Sequence, residues 1–308
     1  MRAALPFVLG LLGVSLAAVD ARAGAVSAAQ DDSEALAAIN TDMRARERRA
    51  LILAFEGRHA AALQEYLWCY DNGDRLVPGY AGVRRSFLLG YIARLAKVHP
   101  PALQALNDRR DAAASRLGSG STSRDDVADV CAIDRTLEEK ARTIELYEWL
   151  RSERPLPQSV RWTFANEIAE PLATAQRYAD ILEMIEEPQA YIEEQLQLFR
   201  SRVDALKASK NPREAEGAER FAARGVSKLA PVFEALAGKQ RREDANRLAV
   251  LLCELARTEN TYVVLVECAT RAGDAVLART IAERGFADLP FSSKGPLRVA
   301  FDRLPSAK

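Results

Sequence analysis

The chain has 308 residues, of which 48% are hydrophobic and 28% are charged. This composition is typical of a soluble protein with a large core, and the length suits two ordinary domains or one extended solenoid. Lys and Arg together number 43, as do Asp and Glu, so the formal net charge is zero. A neutral chain has no global attraction to nucleic acid or to an anionic membrane, so we expect neither as a partner.

The N-terminal segment, 1–30, has the pattern of a targeting sequence. Arg2 supplies a positive start, and the apolar stretch over 5–19 is shorter than the roughly 20 residues that a membrane span needs. The Ala21–Ala23 segment offers the small residues that a signal peptidase recognises, so we predict cleavage after its last residue, with Ala28 and Ala29 as later alternatives. The mature protein is then soluble, and periplasmic or secreted. An uncleaved N-terminal anchor is the alternative.

Two stretches, one in the first quarter of the chain and one near its end, have the pattern of the same helical hairpin. In each, a helix ends at a glycine, Gly57 or Gly273, and a small residue, Ala62 or Ala278, opens a second helix five positions later. Small residues at this spacing let two antiparallel helices approach closely. The sequence therefore predicts an all-α fold built as a stack of antiparallel helix pairs.

Helical periodicity continues along most of the chain, and no run has the alternation of a strand. Asp71–Asp74 is expected to end one helix, Pro171 and Pro188 to open two others, and Asn211 with Glu214 to cap a third. The predicted helices cover residues 31–55, 59–70, 78–98, 100–117, 124–136, 138–151, 158–170, 171–187, 188–208, 214–236 and 244–257, followed by a hairpin over 261–285.

Gly118–Ser123 is the only flexible linker in the body of the chain. It is interpreted as a loop between repeats or as a domain boundary, and the sequence leaves open whether one solenoid continues across it. The predicted organisation is a signal peptide at 1–23, a flexible N-terminus at 24–30, helical hairpins at 31–117, the linker or loop at 118–123, a helical repeat array at 124–290 and a tail at 291–308.

The two hairpins carry a recurring set of residues. The C-terminal copy has Leu265, Gly273, Ala278 and Pro290, with Tyr262 near its start, and the N-terminal copy has Ala50, Gly57, Ala62, Tyr66 and Cys69. These spacings resemble those of tetratricopeptide repeats, in a degenerate form. The resemblance implies a right-handed α-solenoid that binds a protein or peptide in its concave groove. Its motif residues are structural, so it identifies no binding residue.

The four cysteines, Cys69, Cys131, Cys253 and Cys268, all occupy apolar positions of predicted helices. None forms a Cys-x-x-Cys pair, so neither a redox centre nor a zinc knuckle is indicated. We expect buried free thiols. If one disulfide exists, we expect it between Cys253 and Cys268, because these two lie on adjacent helices.

Residues with a catalytic pattern are few. The only histidines, His59 and His99, lie beside no obvious nucleophile and in no metal-binding motif, so both are interpreted as structural or exposed. Trp68, Trp162 and Tyr66 are expected to pack in the core, with an aromatic groove for peptide or glycan as the alternative. The sequence thus predicts no catalytic residue, no cofactor and no metal site.

The function expected from these patterns is that of an exported, non-catalytic helical-repeat scaffold or adaptor. Its partner would be a protein or peptide of the cell envelope. Two alternatives remain open: a structural part of an envelope assembly, and an α-helical enzyme that acts on cell-wall glycan. The enzyme would need a buried carboxylate with a raised pKa in a cleft.

Overall fold

The computed structural model describes residues 42–290 and 294–304. The described residues form helices and no strand, which confirms the all-α prediction. The signal peptide predicted at 1–23, the flexible N-terminus at 24–30 and the beginning of the first predicted helix lie outside the described residues. Within that part of the chain, no helix is both long and apolar enough to cross a membrane.

The helices follow one another with short connections. In chain order they are α1 (42–55), α2 (His59–Leu76), α3 (Ala81–Val83), a π-helical segment (Arg84–Leu88), α4 (Leu89–Ala96), α5 (Pro100–Gly118), α6 (Arg124–Thr136), α7 (Lys140–Glu153), α8 (Gln158–Thr174), α9 (Tyr178–Ile185), α10 (Pro188–Lys207), α11 (Pro212–Gly238), α12 (Arg242–Leu255), α13 (Glu259–Arg271), α14 (Ala275–Asp288) and α15 (Gly295–Asp302). The segments α3, π and α4 are continuous.

The chain forms two compact units, Met1–Arg109 and Arg110–Lys308, whose boundary lies inside α5. The predicted linker, Gly118–Ser123, lies within the second unit. There Ser123 caps α6 by accepting a hydrogen bond from the amide of Asp126, and the Ser121 hydroxyl lies 2.9 Å from the Asp126 carboxylate. These contacts order the segment between α5 and α6.

Six of the turns that the structure describes have the same pattern of hydrogen bonds: one contains Gly120, with a φ of +109°, and the other five share one backbone geometry as well. Each of these five contains a residue with a left-handed backbone, namely Gly57, Glu138, Gln176, Gln240 or Gly273. The left-handed residue donates its amide to the carbonyl three positions earlier, and the next residue donates to the carbonyl five positions earlier. This is the Schellman ending of a helix. It closes the hairpins α1/α2, α6/α7, α8/α9, α11/α12 and α13/α14.

The second unit is built in two layers. The first layer is a row of helices, each packed against the next: α6, α8, α11, α13 and α15. The second layer contains α7, α9, α12 and α14, each packed against its own row helix and the following one. This order of contacts is that of a solenoid of antiparallel helix pairs. The predicted stack of helix pairs is therefore present in this unit, while its right-handedness stays a prediction.

One helix of the second unit does not follow the repeat. One pair of helices lies between the left-handed turn residues Glu138 and Gln176. One pair also lies between the left-handed residues Gln240 and Gly273. The stretch between Gln176 and Gln240 is nearly twice as long, because α10 is inserted there. The inserted helix packs along α11 and also contacts α9.

Gly225 on α11 is the point where two neighbouring helices converge. A Cβ atom at this position would lie 2.9 Å from Cγ of Phe199 on α10 and 2.8 Å from Cδ2 of Leu255 on α12. The absence of a side chain therefore lets both helices pack closely on α11.

In the first unit, the predicted turn at Asp71–Asp74 is wrong, because α2 continues through it to Leu76. Gly73 is a helical residue, and the ring of Tyr80 packs where a side chain at Gly73 would lie. The Tyr80 hydroxyl donates a hydrogen bond to Glu47 at 2.5 Å. The two aspartates form ion pairs with arginines, Asp71 with Arg109 and Asp74 with Arg84. Tertiary contacts thus override local turn preference.

The predicted helix start at Pro171 is also wrong, because α8 continues through this proline to Thr174. The break occurs instead at the left-handed Gln176. Pro171 sits in the last turn, and the buried residues Ile168 and Leu172 hold that turn against the core. Other predicted features hold: α6 has the predicted bounds, and the Asn211 side chain caps α11.

Two substitutions on α11 should change stability in opposite directions. Gly225→Ala should lower the free energy of unfolding by about 1–3 kcal/mol, because Phe199 and Leu255 must move. Gly217→Ala should raise it by about 0.5–1 kcal/mol, because its Cβ meets no atom within 4 Å and alanine favours the helix. Urea unfolding of both variants measures the difference. Equal effects would refute the close approach at Gly225.

The turns offer a second pair of substitutions. Gly273→Ala should lower the free energy of unfolding by about 1 kcal/mol, because alanine tolerates its φ of +79° poorly. Gln240→Gly, at the equivalent turn position, should raise it by about 0.5–1 kcal/mol, because it relieves the same strain. Thermal and urea unfolding measure both. A loss of stability in Gln240→Gly would contradict the shared geometry of these turns.

Candidate functional site

An open groove of about 570 Å³ lies between α10 and α12. Its apolar floor is formed by Ile192, Leu196, Leu248 and Leu251. The polar residues that line it are Gln189, Glu193, Gln197, Arg200, Ser201, Asp204, Asp244 and Arg247. An apolar floor with a polar rim is the usual composition of a binding cleft.

Two polar contacts bridge the groove between its walls. Gln189 Nε2 donates to Asp244 Oδ1 at 3.4 Å, and Arg200 lies 3.3 Å from the Glu254 carboxylate. The first pair joins the starts of α10 and α12 and the second joins later positions, so the two helices run in the same direction. Such exposed pairs contribute little stability, so a ligand that displaces them meets little resistance.

The charges of the rim have both signs. Arg200 and Arg247 are basic, and Glu193, Asp204 and Asp244 are acidic. A hydrogen bond from Arg241 holds the pKa of Asp244 below its ordinary value, so this residue is an anion at neutral pH. The groove therefore suits a ligand with an apolar face and charges of both signs beside it.

A chain of polar contacts crosses three row helices of the second unit. Glu167 on α8 forms ion pairs with Arg135 on α6 and with Lys228 on α11, the latter at 3.5 Å. Lys228 also donates to the carbonyl of Asn166, whose side chain accepts the Tyr191 hydroxyl at 2.9 Å. Because these charges pair with one another, they hold α6, α8 and α11 in register.

Glu234 is the most deeply buried glutamate that the structure describes, with a side chain only 2% exposed. Arg271 on α13 donates to it at 2.7 Å, and the Tyr178 hydroxyl on α9 donates at 3.1 Å. Burial and the neighbouring carboxylate raise the pKa of Tyr178 to about 12. The Tyr178 ring packs on Gly238, so this cluster joins α9, α11 and α13.

Two further buried carboxylates also have cationic partners. Asp134 accepts hydrogen bonds from Arg110 at 3.1 Å and from Thr143 at 2.8 Å. Asp274 caps α14 and lies 2.8 Å from Arg242. Burial acts to raise the pKa of Asp274, but the hydrogen bonds from Arg242 and from the Leu277 amide outweigh it, so the pKa lies below the ordinary value.

All four cysteines are free and buried, as predicted. Burial raises the pKa of Cys69 and Cys268 to about 12 and that of Cys253 to about 11, and it raises the pKa of Cys131 strongly. These thiols therefore stay protonated at neutral pH and are poor nucleophiles. Cys253 and Cys268 form no disulfide here, although they lie on adjacent helices.

Of the three aromatic residues expected in the core, Tyr66 and Trp162 are there, whereas Trp68 is only half-buried. The Trp68 ring lies under the guanidinium of Arg46 at 3.8 Å. None of the three lines the groove. Sequence reasoning missed the groove, because its lining residues have an ordinary amphipathic pattern.

The two histidines are half-buried in the first unit, and their ring centroids are 6.0 Å apart. Nothing in the sequence indicated that they would meet. Among the described residues, no group of three or more His, Cys, Asp or Glu side chains is arranged to hold a metal ion.

No protein-family model, curated protein or solved structure matches this chain. The resemblance to tetratricopeptide repeats therefore stays a prediction.

The Glu234 cluster allows a test of its role in the fold. Arg271→Ala should lower the free energy of unfolding by about 3 kcal/mol, because it leaves a buried carboxylate without its cation. The double variant with Glu234→Gln should recover part of that loss, because the uncompensated charge is then removed. Urea unfolding of the single and double variants measures the coupling. Strictly additive effects would show that the pair does not interact.

Proposed function

We propose that this protein is an exported, non-catalytic scaffold that binds a protein partner, and that the groove between α10 and α12 is its docking site. The observation that carries the proposal is the groove itself, with four apolar floor residues and charged residues along both walls. Export rests on the predicted signal peptide at 1–23 and on its cleavage after Ala23.

The occupant that best fits the groove is an amphipathic helix of the partner. The lining of α10 extends from Pro188 to Asp204, which is about 24 Å at the rise of an α-helix. That length accommodates a helix of about 11–15 residues. Such a helix would place apolar residues at steps of three and four on the floor, with charged residues beside the rim.

The chemistry of the remaining polar groups favours binding over catalysis. Four buried carboxylates, those of Asp126, Asp134, Glu234 and Asp274, form ion pairs with arginines, and the cysteine thiols have raised pKa values. The groove lining offers one hydroxyl, that of Ser201, and no histidine or cysteine among the described residues. The lining therefore holds no Ser–His or Cys–His pair.

A second candidate function, a structural part of an envelope assembly, is favoured by a different surface. On α1, Leu51, Ile52 and Phe55 are exposed, and Phe55 is 95% accessible to solvent. A patch of exposed apolar side chains is typical of a permanent contact. Size-exclusion chromatography with light scattering of Phe55→Ser against the unaltered chain tests this candidate. If Phe55→Ser and the unaltered chain have the same assembly state, the result counts against a structural role for this surface.

The docking proposal predicts that Leu251→Glu lowers the affinity for the partner at least tenfold, because a charge then lies on the apolar floor. Leu198→Glu is the matched control: Leu198 is exposed on α10 but lies outside the lining. A photo-reactive residue at position 197, on the rim, identifies the partner in the native envelope, and titration with the purified partner gives the affinities.

Comparison of Leu251→Glu with its control, Leu198→Glu, distinguishes the groove from the rest of the surface. Both glutamate variants should keep melting temperatures close to that of the unaltered chain, since neither residue is fully buried. Equal loss of affinity in both variants, or crosslinking that is the same at positions 197 and 198, would overturn the proposed docking site.

A further inference from the structure

The fold brings together the only two histidines of the chain. His59 is the first residue of α2, and His99 directly precedes α5, so the two are distant in sequence. Their ring centroids are 6.0 Å apart and the rings are tilted by 49°. Both side chains keep access to solvent. An ion can therefore approach the pair from solvent.

The separation of the rings matches that of two imidazoles bound to one metal ion. A metal lies about 2.0–2.1 Å from each imidazole nitrogen, and each nitrogen lies roughly 1 Å from its ring centroid. Two imidazoles on one ion therefore have centroids about 5–6 Å apart, depending on the angle at the metal. The observed 6.0 Å lies at the upper end of this range.

The backbone around both histidines is held by hydrogen bonds. The His99 amide donates to the carbonyl of Leu95 at 2.8 Å, and its own carbonyl accepts the amide of Ala102 at 2.9 Å. His59 follows the Schellman turn at Gly57, in which the Arg58 amide donates to Leu53 at 2.9 Å. Because both attachment points are ordered, a bound ion would need to immobilise only the side-chain torsions.

We propose that His59 and His99 form a binding site for a divalent transition-metal ion, such as Zn²⁺ or Cu²⁺. Neutral imidazole is a preferred ligand of these ions, whereas Mg²⁺ prefers oxygen ligands. No third His, Cys, Asp or Glu in the described part of the chain joins the pair, so water completes the coordination. The ion would connect the α1/α2 turn to the turn before α5, both within the first unit.

The chain is well suited to a direct test, because it contains no other histidine and its cysteines are buried and protonated. The experiment uses the full chain, free of metal and of any affinity tag. Calorimetric titration with Zn²⁺ should show one ion per chain, and Mg²⁺ should show none. His59→Gln and His99→Gln should each weaken Zn²⁺ binding at least tenfold, because each removes one of two ligands.

Two further readouts separate a metal site from a simple ring contact. The electron paramagnetic resonance spectrum of bound Cu²⁺ should show coupling to two imidazole nitrogens, and to fewer in either variant. Zn²⁺ should raise the melting temperature of the unaltered chain and of Lys97→Gln, a control two positions before His99, but not of the histidine variants. Absence of saturable binding, or binding that survives either histidine substitution at full strength, would overturn the proposal.

Discussion

Close packing on α11 is the constraint on which the second unit depends. This helix contacts α8, α9, α10, α12 and α13, so it is surrounded by neighbours along most of its length. Its buried positions are rich in small residues, among them Ala218, Ala222, Gly225, Ala230, Ala235 and Ala237. Small side chains permit short distances between helix axes. Larger residues at these positions would force the neighbours apart and interrupt the row.

Buried polar contacts add specificity to this packing. Tyr178 and Arg271 both bind Glu234, so α9 and α13 are oriented on α11 by directional hydrogen bonds. Apolar contacts alone tolerate sliding of one helix along another, whereas a buried carboxylate that loses its partners is costly. We infer that the cluster contributes more to the register of the row than to its net stability.

The sequence predicted the helical class, the thiols and two hairpins correctly, because each of these has a local signal. Gly57 and Gly273 mark their turns by residue type, and both have the left-handed backbone that glycine favours. The turns at Glu138, Gln176 and Gln240 have the same backbone without glycine, so residue type did not reveal them. The continuation of α2 through Gly73 depends on Tyr80, a contact that no local pattern encodes.

The groove between α10 and α12 could not be predicted from the sequence, for a related reason. The residues of the groove are ordinary members of two amphipathic helices, and only the insertion of α10 makes them face each other. The histidine pair depends in the same way on two turns that come close in space, because His59 follows the α1/α2 turn and His99 is the last residue of the turn before α5. The groove thus arises from a helix inserted between repeats, whereas the histidine pair joins the turn of one hairpin, α1/α2, to the turn before α5.

The groove follows from the geometry of the insertion. Each row helix of a regular solenoid supports one helix of its own pair, but α11 supports both α10 and α12. Phe199 and Leu255 converge on Gly225, which brings the two helices together at one place on α11. Nearer the starts of the two helices, an exposed hydrogen bond from Gln189 to Asp244 links them. Two helices that both pack on α11 but do not pack closely against each other leave a channel between them. The floor of that channel is apolar, so its burial by a complementary helix is favourable. Such binding would require little rearrangement of the existing structure.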